Sequence, residues 1–329
     1  MIRCMDVAAY LLDSDPAIRW QVMRDLLDAP AAEVAAERAR VANEGWGARL
    51  LAEQAEDGLW DGGTYRPGWV DENRPFYDAW SATHPSLELL RQFGPDPADP
   101  AVVAAITRVR DHVRWDHAGE RYFDGEVEPC INGGALANAA YFGVDGGPIL
   151  ETVLAGQLAD GGWNCWDEDG TSVSSFHSTL AVLEGLLAWE RRTERTDAAV
   201  GAIVEARRRG EEYLLERRLL WRRTTGEVID ARWGMPSFPT RWYYDVLRAL
   251  DYFRVARPER DERCADAVEL LRGKRLASGL WKLELSHEGP TLFELDGEGE
   301  GFPSRWVTLR AMRVLKWWDE RTDAPAPAP

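Results

Sequence analysis

The chain has 329 residues, 45% of them hydrophobic, and a formal net charge of −17. This length fits one large domain or two ordinary ones, with enough apolar residues for a large core. The acidic balance argues against nucleic acid and anionic membranes as partners, and no apolar run approaches the ~20 residues of a membrane span.

In chain order, residues 6–13 read as a short helix. Asp13-Ser14-Asp15-Pro16 then supplies an N-cap and a first-turn proline for a second helix, 18–27, with Ile18, Val22 and Leu26 on one face. Residues 31–56 read as one long Ala-rich helix ending at Asp57-Gly58-Leu59-Trp60. A loop rich in Gly, Pro and aromatics, 61–82, leads to a helix over 83–93, stopped by Gly94-Pro95, and the next helix is 100–115. Cys130-Ile131-Asn132-Gly133-Gly134 opens a helix running to Phe142, and residues 147–158 form another, ending in the turn Asp160-Gly161-Gly162-Trp163. Helices follow over 177–191, 197–218, 241–255, 258–276 and 305–320. The tail 323–329, DAPAPAP, reads as disordered, and residues 1–322 as a single domain. The N-terminal stretch has no long apolar core or cleavage site, so a cytoplasmic protein with its four cysteines reduced is expected.

Helices that follow long loops alternate with helices that follow short connections, in a unit of roughly 50–60 residues, which is a repeat signature. Phe238-Pro239-Thr240-Arg241-Trp242 echoes Phe302-Pro303-Ser304-Arg305-Trp306, and His84-x-Ser86-Leu87-x-x-Leu90 echoes His177-x-Thr179-Leu180-x-x-Leu183. No convincing alternating strand pattern occurs. The expected fold is all-α, an (α/α)6 toroid of six helical hairpins with inner and outer helix rings, closed because an open stack would leave apolar faces uncovered.

If the inner helices run one way, their N-termini meet at one mouth, bringing together His84, Cys130, Asn132, His177, Arg241 and Arg305. Helix N-termini favour anions, and Arg241 and Arg305 add bidentate donors for a carboxylate or phosphate. Their structural alternative is pairing with loop acids such as Asp296 or Glu298. His177 and His84 are candidate general bases and Cys130 a candidate nucleophile. Asp71, Asp78, Asp124, Glu126 and Glu128 lie in loops over the same mouth, as candidate acids or as solvated charges. Trp60, Trp69, Trp80, Trp233, Trp242 and Trp306 are candidates for a cavity wall, with aromatic packing between helices as the alternative. Zinc would suit Cys130, His177 and a carboxylate, against the plainer reading of a structural cysteine and a hydrogen-bonded histidine.

Gln157-x-x-Asp160-Gly161-Gly162-Trp163, with weaker copies at 54–60 and 278–281, resembles the QW-type repeat of squalene cyclases, other terpene cyclases and protein prenyltransferase β subunits. The stretch comparable to the cyclase Asp-x-Asp-Asp motif is Ser175-Phe176-His177-Ser178, which has no acid; Asp167-Glu168-Asp169 reads as an exposed loop. In prenyltransferase β subunits an Asp-x-Cys pair and a histidine bind zinc, and the resemblance makes Glu128, Cys130 and His177 the corresponding ligands. It implies a terpene cyclase- or prenyltransferase-like enzyme with a hydrophobic, isoprenoid-like substrate carrying an anionic head. Arg241, Arg305, Asn132, Trp80, Trp242 and Trp306 would bind that substrate. The alternatives are a non-catalytic toroid binding a lipid or peptide, and a carbohydrate-active glycosidase or lyase toroid.

Overall fold

The computed structural model describes residues 6–70, 79–117, 119–165, 170–193, 199–257 and 259–320. They form thirteen α-helices: α1 (Val7–Leu12), α2 (Pro16–Asp25), α3 (Ala31–Ala39), α4 (Gly45–Ala52), α5 (Thr83–Phe93), α6 (Pro100–His112), α7 (Pro129–Phe142), α8 (Gly147–Ala155), α9 (Phe176–Arg192), α10 (Ala199–Leu215), α11 (Val246–Ala256), α12 (Ala265–Gly273) and α13 (Arg305–Asp319). Among the described residues no strand forms, only isolated bridges. Long connections lead into α5, α7, α9, α11 and α13, and shorter ones lead out of the first four to an outer helix. These five and α2 therefore run in one direction as the inner ring, with the other helices outside. Contacts run from α5 through α7, α9, α11 and α13 to α2. The ring closes where Trp20 Nε1 donates to Phe93 O at 2.9 Å and Gln21 Nε2 to Gln92 O at 3.0 Å. The fold is an (α/α)6 toroid, as the alternation predicts. The tail 323–329 lies outside the described residues.

One expected element is divided. The helix expected over 31–56 is α3 and α4, because Gly45 takes φ 65° and Asp15 claims the space beside it. A Cβ at Gly45 would lie 1.9 Å from Asp15 Oδ2. The two oxygens of Asp15 accept from Ala17 N and Trp46 N, both at 2.8 Å, so one carboxylate starts α2 and α4 together.

The repeated Gly-Trp turn is a clip between layers. Trp60, Trp163 and Trp281 are almost completely buried. Their indole N–H groups donate to the carbonyls of Leu50, Val153 and Leu271 at 2.7, 2.8 and 2.8 Å, near the ends of α4, α8 and α12. Their backbone N–H groups donate to Thr83, Thr179 and Thr308 Oγ1 at 3.1, 3.0 and 3.0 Å, in the first turns of the next inner helices. Gln54 and Gln157 each reach a glycine carbonyl in the turn and a carbonyl of the next outer helix. In the third copy Arg275 replaces the glutamine and bonds Gly279 O. The indole and backbone N–H groups of all three tryptophans are used internally, so the motif reports the fold rather than chemistry.

Further along the ring axis the inner helices carry buried ion pairs. Arg248 holds Glu184 through two bonds of 2.9 and 2.7 Å. Asp251 is shared by Arg254 at 3.0 Å, Arg310 at 3.4 Å and Arg313. Burial alone would raise these carboxyls; the arginines outweigh it and hold both below the usual carboxylate range.

Candidate functional site

At the mouth formed by the N-terminal ends of the inner helices lies a cavity of about 730 Å³. Trp69, Trp233, Trp242, Tyr243 and Tyr244 supply its rings, and His177, Arg232, His287 and Glu288 its polar groups. A small space of about 20 Å³ shares Ala79 and Trp242 with it and is lined by Arg241, His84 and Cys130; a third, of about 230 Å³, shares residues 286–289 and also reaches Arg241.

The segment before α11 builds much of this wall. The sequence predicts a helix from residue 241, by the echo with 302–306. In the later copy Ser304 caps α13 and the helix starts at Arg305. In the earlier one α11 starts five residues later, at Val246, with Asp245 as the cap. The intervening Arg241–Tyr244 turns back on itself, with Tyr243 N donating to Thr240 O at 3.0 Å. Arg241 takes φ 53°, which costs a non-glycine residue about 1 kcal/mol. Arg248 pins the turn by donating to Arg241 O at 3.0 Å and Tyr243 O at 2.8 Å.

The Arg241 side chain is 8% exposed, lies 5.3 Å from the Trp80 ring centroid, and makes no hydrogen bond or ion pair with a described residue. Burial, only partly offset by the distant Glu88 and Glu294, brings its pKa down to about 10. Arg305 does not join it. The immediate helix start turns Arg305 toward α1, where it lies over Tyr10 at 4.5 Å and donates to Tyr10 O. The expected pair of arginines is therefore one.

His177 does reach the cavity. Its Nδ1 accepts from Tyr244 N at 2.8 Å, so the neutral ring carries its proton on Nε2. Burial and then Arg248 lower its pKa to about 4. With Nδ1 committed in this way, the resting imidazole is a donor rather than a base. His84 sits deeper, 4% exposed, with Nδ1 2.9 Å from Tyr122 Oη and Nε2 3.9 Å from Glu88. Its pKa is lowered by burial, and the rings of Tyr65, Trp115 and Tyr122 surround it. Asn132 is fully buried, exchanging hydrogen bonds with Glu126 N and O to hold the loop before α7.

Of the tryptophans named from sequence, Trp69, Trp233 and Trp242 line the cavity. Trp80 lies beneath Arg241 and ties its indole to His287 O and Glu288 O at 3.1 and 2.9 Å. Trp60 belongs to a clip, and Trp306 is core, stacked on Phe238 at 4.3 Å. Asp71, Asp78 and Asp167–Glu168–Asp169 lie outside the described residues.

Sequence reasoning missed His287, Tyr243 and Arg232. His287 and Tyr243 stack at 3.9 Å with an 8° interplanar angle. Burial, then Arg241 and Arg248, lower the His287 pKa to about 4, and its Nε2 is buried without a partner among the described residues. None of the three stands at the start of an inner helix; for His287 the available signal is a histidine in an otherwise acidic loop.

The expected zinc set of Glu128, Cys130 and His177 is not the one the fold assembles. Among the described residues Glu128, Cys130 and Cys165 form the group whose ligand atoms lie within 4.8 Å of one another. Cys165 takes the place expected for His177, whose Nδ1 is occupied by the Tyr244 amide. Cys130 is also poorly prepared as a nucleophile. Its hydrogen bond to Cys165, burial and Glu128 push its thiol well above the usual range.

No protein-family model and no curated protein matches the chain. Solved structures resemble it over most of its length. They include a polysaccharide lyase, 11% identical over 98% of this chain and 92% of that one, with TM-score 0.50. Another is a glycosyl hydrolase family 88 protein from Bacteroides vulgatus, 9% identical over 96% and 92%, with TM-score 0.49. A third is a protein from Actinoplanes, 16% identical over 92% and 90%, with TM-score 0.42. At these identities the likeness concerns fold. The resemblance to terpenoid cyclases and prenyltransferases, and with it the isoprenoid substrate, is corrected: the neighbour at TM-score 0.50 is a polysaccharide lyase, and the Gly-Trp repeat that suggested otherwise is an internal clip. No helix among the described residues is long and apolar enough to cross a membrane.

Proposed function

We propose that the chain is a carbohydrate-active enzyme whose mouth cavity binds an acidic sugar and cleaves the glycosidic bond by β-elimination. The observation that carries this reading is Arg241, a buried guanidinium without a hydrogen-bonding partner among the described residues, over Trp80 at the edge of an aromatic cavity. A sugar carboxylate would give it a bidentate partner, and flat rings suit the apolar faces of a pyranose.

In this reaction a base removes the proton on the carbon next to the carboxylate. The C–O bond to the leaving sugar breaks at the adjacent carbon, a C=C bond forms between the two carbons, and the departing oxygen takes up a proton. Arg241 would stabilise the charge that builds on the carboxylate. The stacked Tyr243 and His287 would exchange protons with the substrate, the neutral imidazole accepting and the phenol donating. His177 would orient the sugar through its Nε2–H. Most glycoside hydrolysis uses a pair of carboxylates, whereas Glu288 alone lines the main cavity among the described residues. The name of one structural neighbour, a polysaccharide lyase, agrees with this chemistry.

The test is incubation of the purified chain with uronate-containing glycans. Elimination yields new reducing ends together with the ultraviolet absorbance of the unsaturated product, and Arg241→Met should lower the rate by about 10²–10³. Reducing ends without absorbance would mean hydrolysis and reject this mechanism. Absence of both turnover and binding across the acidic glycans would reject the substrate class.

A further inference from the structure

Beside the cavity, the first turns of α7 and α9 hold the Cys130–Cys165–Glu128 group that the proposed elimination does not use. Cys130 is the second residue of α7, and its Sγ lies 2.7 Å from Cys165 Sγ. Glu128 is the N-cap residue of α7, yet its side chain makes no capping bond; Oε2 lies 3.6 Å from Cys130 Sγ. Cys165 Sγ accepts from Cys130 N at 3.4 Å and lies 3.2 Å from Ser178 Oγ in the first turn of α9. Three acids gathered in one half-buried place repel one another once ionised, and a divalent cation between them reverses that balance.

We propose that Cys130, Cys165 and Glu128 bind one soft divalent cation of zinc's class, with water or the Ser178 hydroxyl completing a tetrahedral site. Thiolates select such an ion over magnesium or calcium. Two thiolates on one zinc stand about 3.8 Å apart, from Zn–S bonds of about 2.3 Å, so the side chains open by roughly 1 Å on binding. The ion would tie the loop between Trp163 and Ser178 to α7, next to the Tyr65–Arg241–Trp242 corner that Cys130 also lines.

The experiment is titration of the reduced, chelator-stripped full chain with Co²⁺, followed by Zn²⁺. The expected result is a thiolate-to-cobalt charge-transfer band that saturates at one equivalent and is abolished by added zinc. Cys130→Ser and Cys165→Ser should lose the band, Glu128→Gln should weaken binding at least about tenfold, and His177→Ala should retain it. The wild-type titration stands without the variants, so a substitution that fails to fold does not decide the outcome. A wild-type chain with no band at micromolar cobalt would overturn the site, as would a band that survives Cys165→Ser or is lost in His177→Ala. A purified chain lighter by two hydrogens, with both thiols blocked, would make the pair a disulfide instead and also overturn it.

Discussion

Replacing Arg241 with methionine should make the protein more stable. Burial lowers the Arg241 pKa from the ordinary arginine range to about 10. At about 1.4 kcal/mol per pH unit, that drop means the folded chain holds the charge at a cost of about 3 kcal/mol relative to the unfolded one. Because the folded-state pKa is the lower one, the cost is present at every pH below about 10 and is relieved only above it. Methionine fills similar space without charge but loses the contact with Trp80, worth about 0.5–2 kcal/mol. The expected net gain is about 1–3 kcal/mol. Urea unfolding at pH 7 would show it as a higher midpoint with an unchanged slope, while the proposed binding of acidic sugars should be lost. A midpoint lowered by the equivalent of 1 kcal/mol or more would refute the reasoning, by showing that Arg241 is held by interactions of its own.

Stability should fall as pH drops from about 6.5 to 4, because His177 and His287 are protonated more readily unfolded than folded. Each contributes up to about 3 kcal/mol that is present above the unfolded pKa and lost through the folded one, and midpoints measured against pH should flatten in His177→Gln and His287→Gln. Arg248→Met leaves Glu184 buried without its two bonds and frees the carbonyls of Arg241 and Tyr243, so it should cost about 3–5 kcal/mol and appear as a large fall in Tm. Trp163→Phe removes a buried donor from Val153 O and should cost about 1–3 kcal/mol by urea unfolding, with near-neutrality counting against the clip.

The sequence made the ring legible because hairpin alternation and the Gly-Trp turns are local signals. It hid the break at Gly45, since the group that requires it is Asp15, the N-cap of α2 and about thirty residues earlier in the chain. Looking at the starts of inner helices found His177, Arg241 and Trp242. The same rule swept in His84, Asn132, Arg305 and Trp306, which occupy similar positions in sequence but are spent on packing or loop anchoring. It could not find His287, which enters the cavity from the loop between α12 and α13. Nor could it pair Cys165 with Cys130, because 35 residues and one complete hairpin turn separate them in the chain.

The ion pairs on the axis decide whether the ring is a tube or a cup. Glu88 and Arg248 line both the small space under the mouth and a separate cavity of about 350 Å³ at the far end, and so form a wall between the two. A polymeric sugar of the class proposed as substrate therefore could not be threaded through the ring and processed along its length. Its end must enter and stop at a charged floor, or it must lie across the rim with only one stretch dipping in. The depth of the cup, set by Arg248 and Glu88 rather than by the aromatic walls, would thus limit how many units of the proposed sugar substrate are engaged at once.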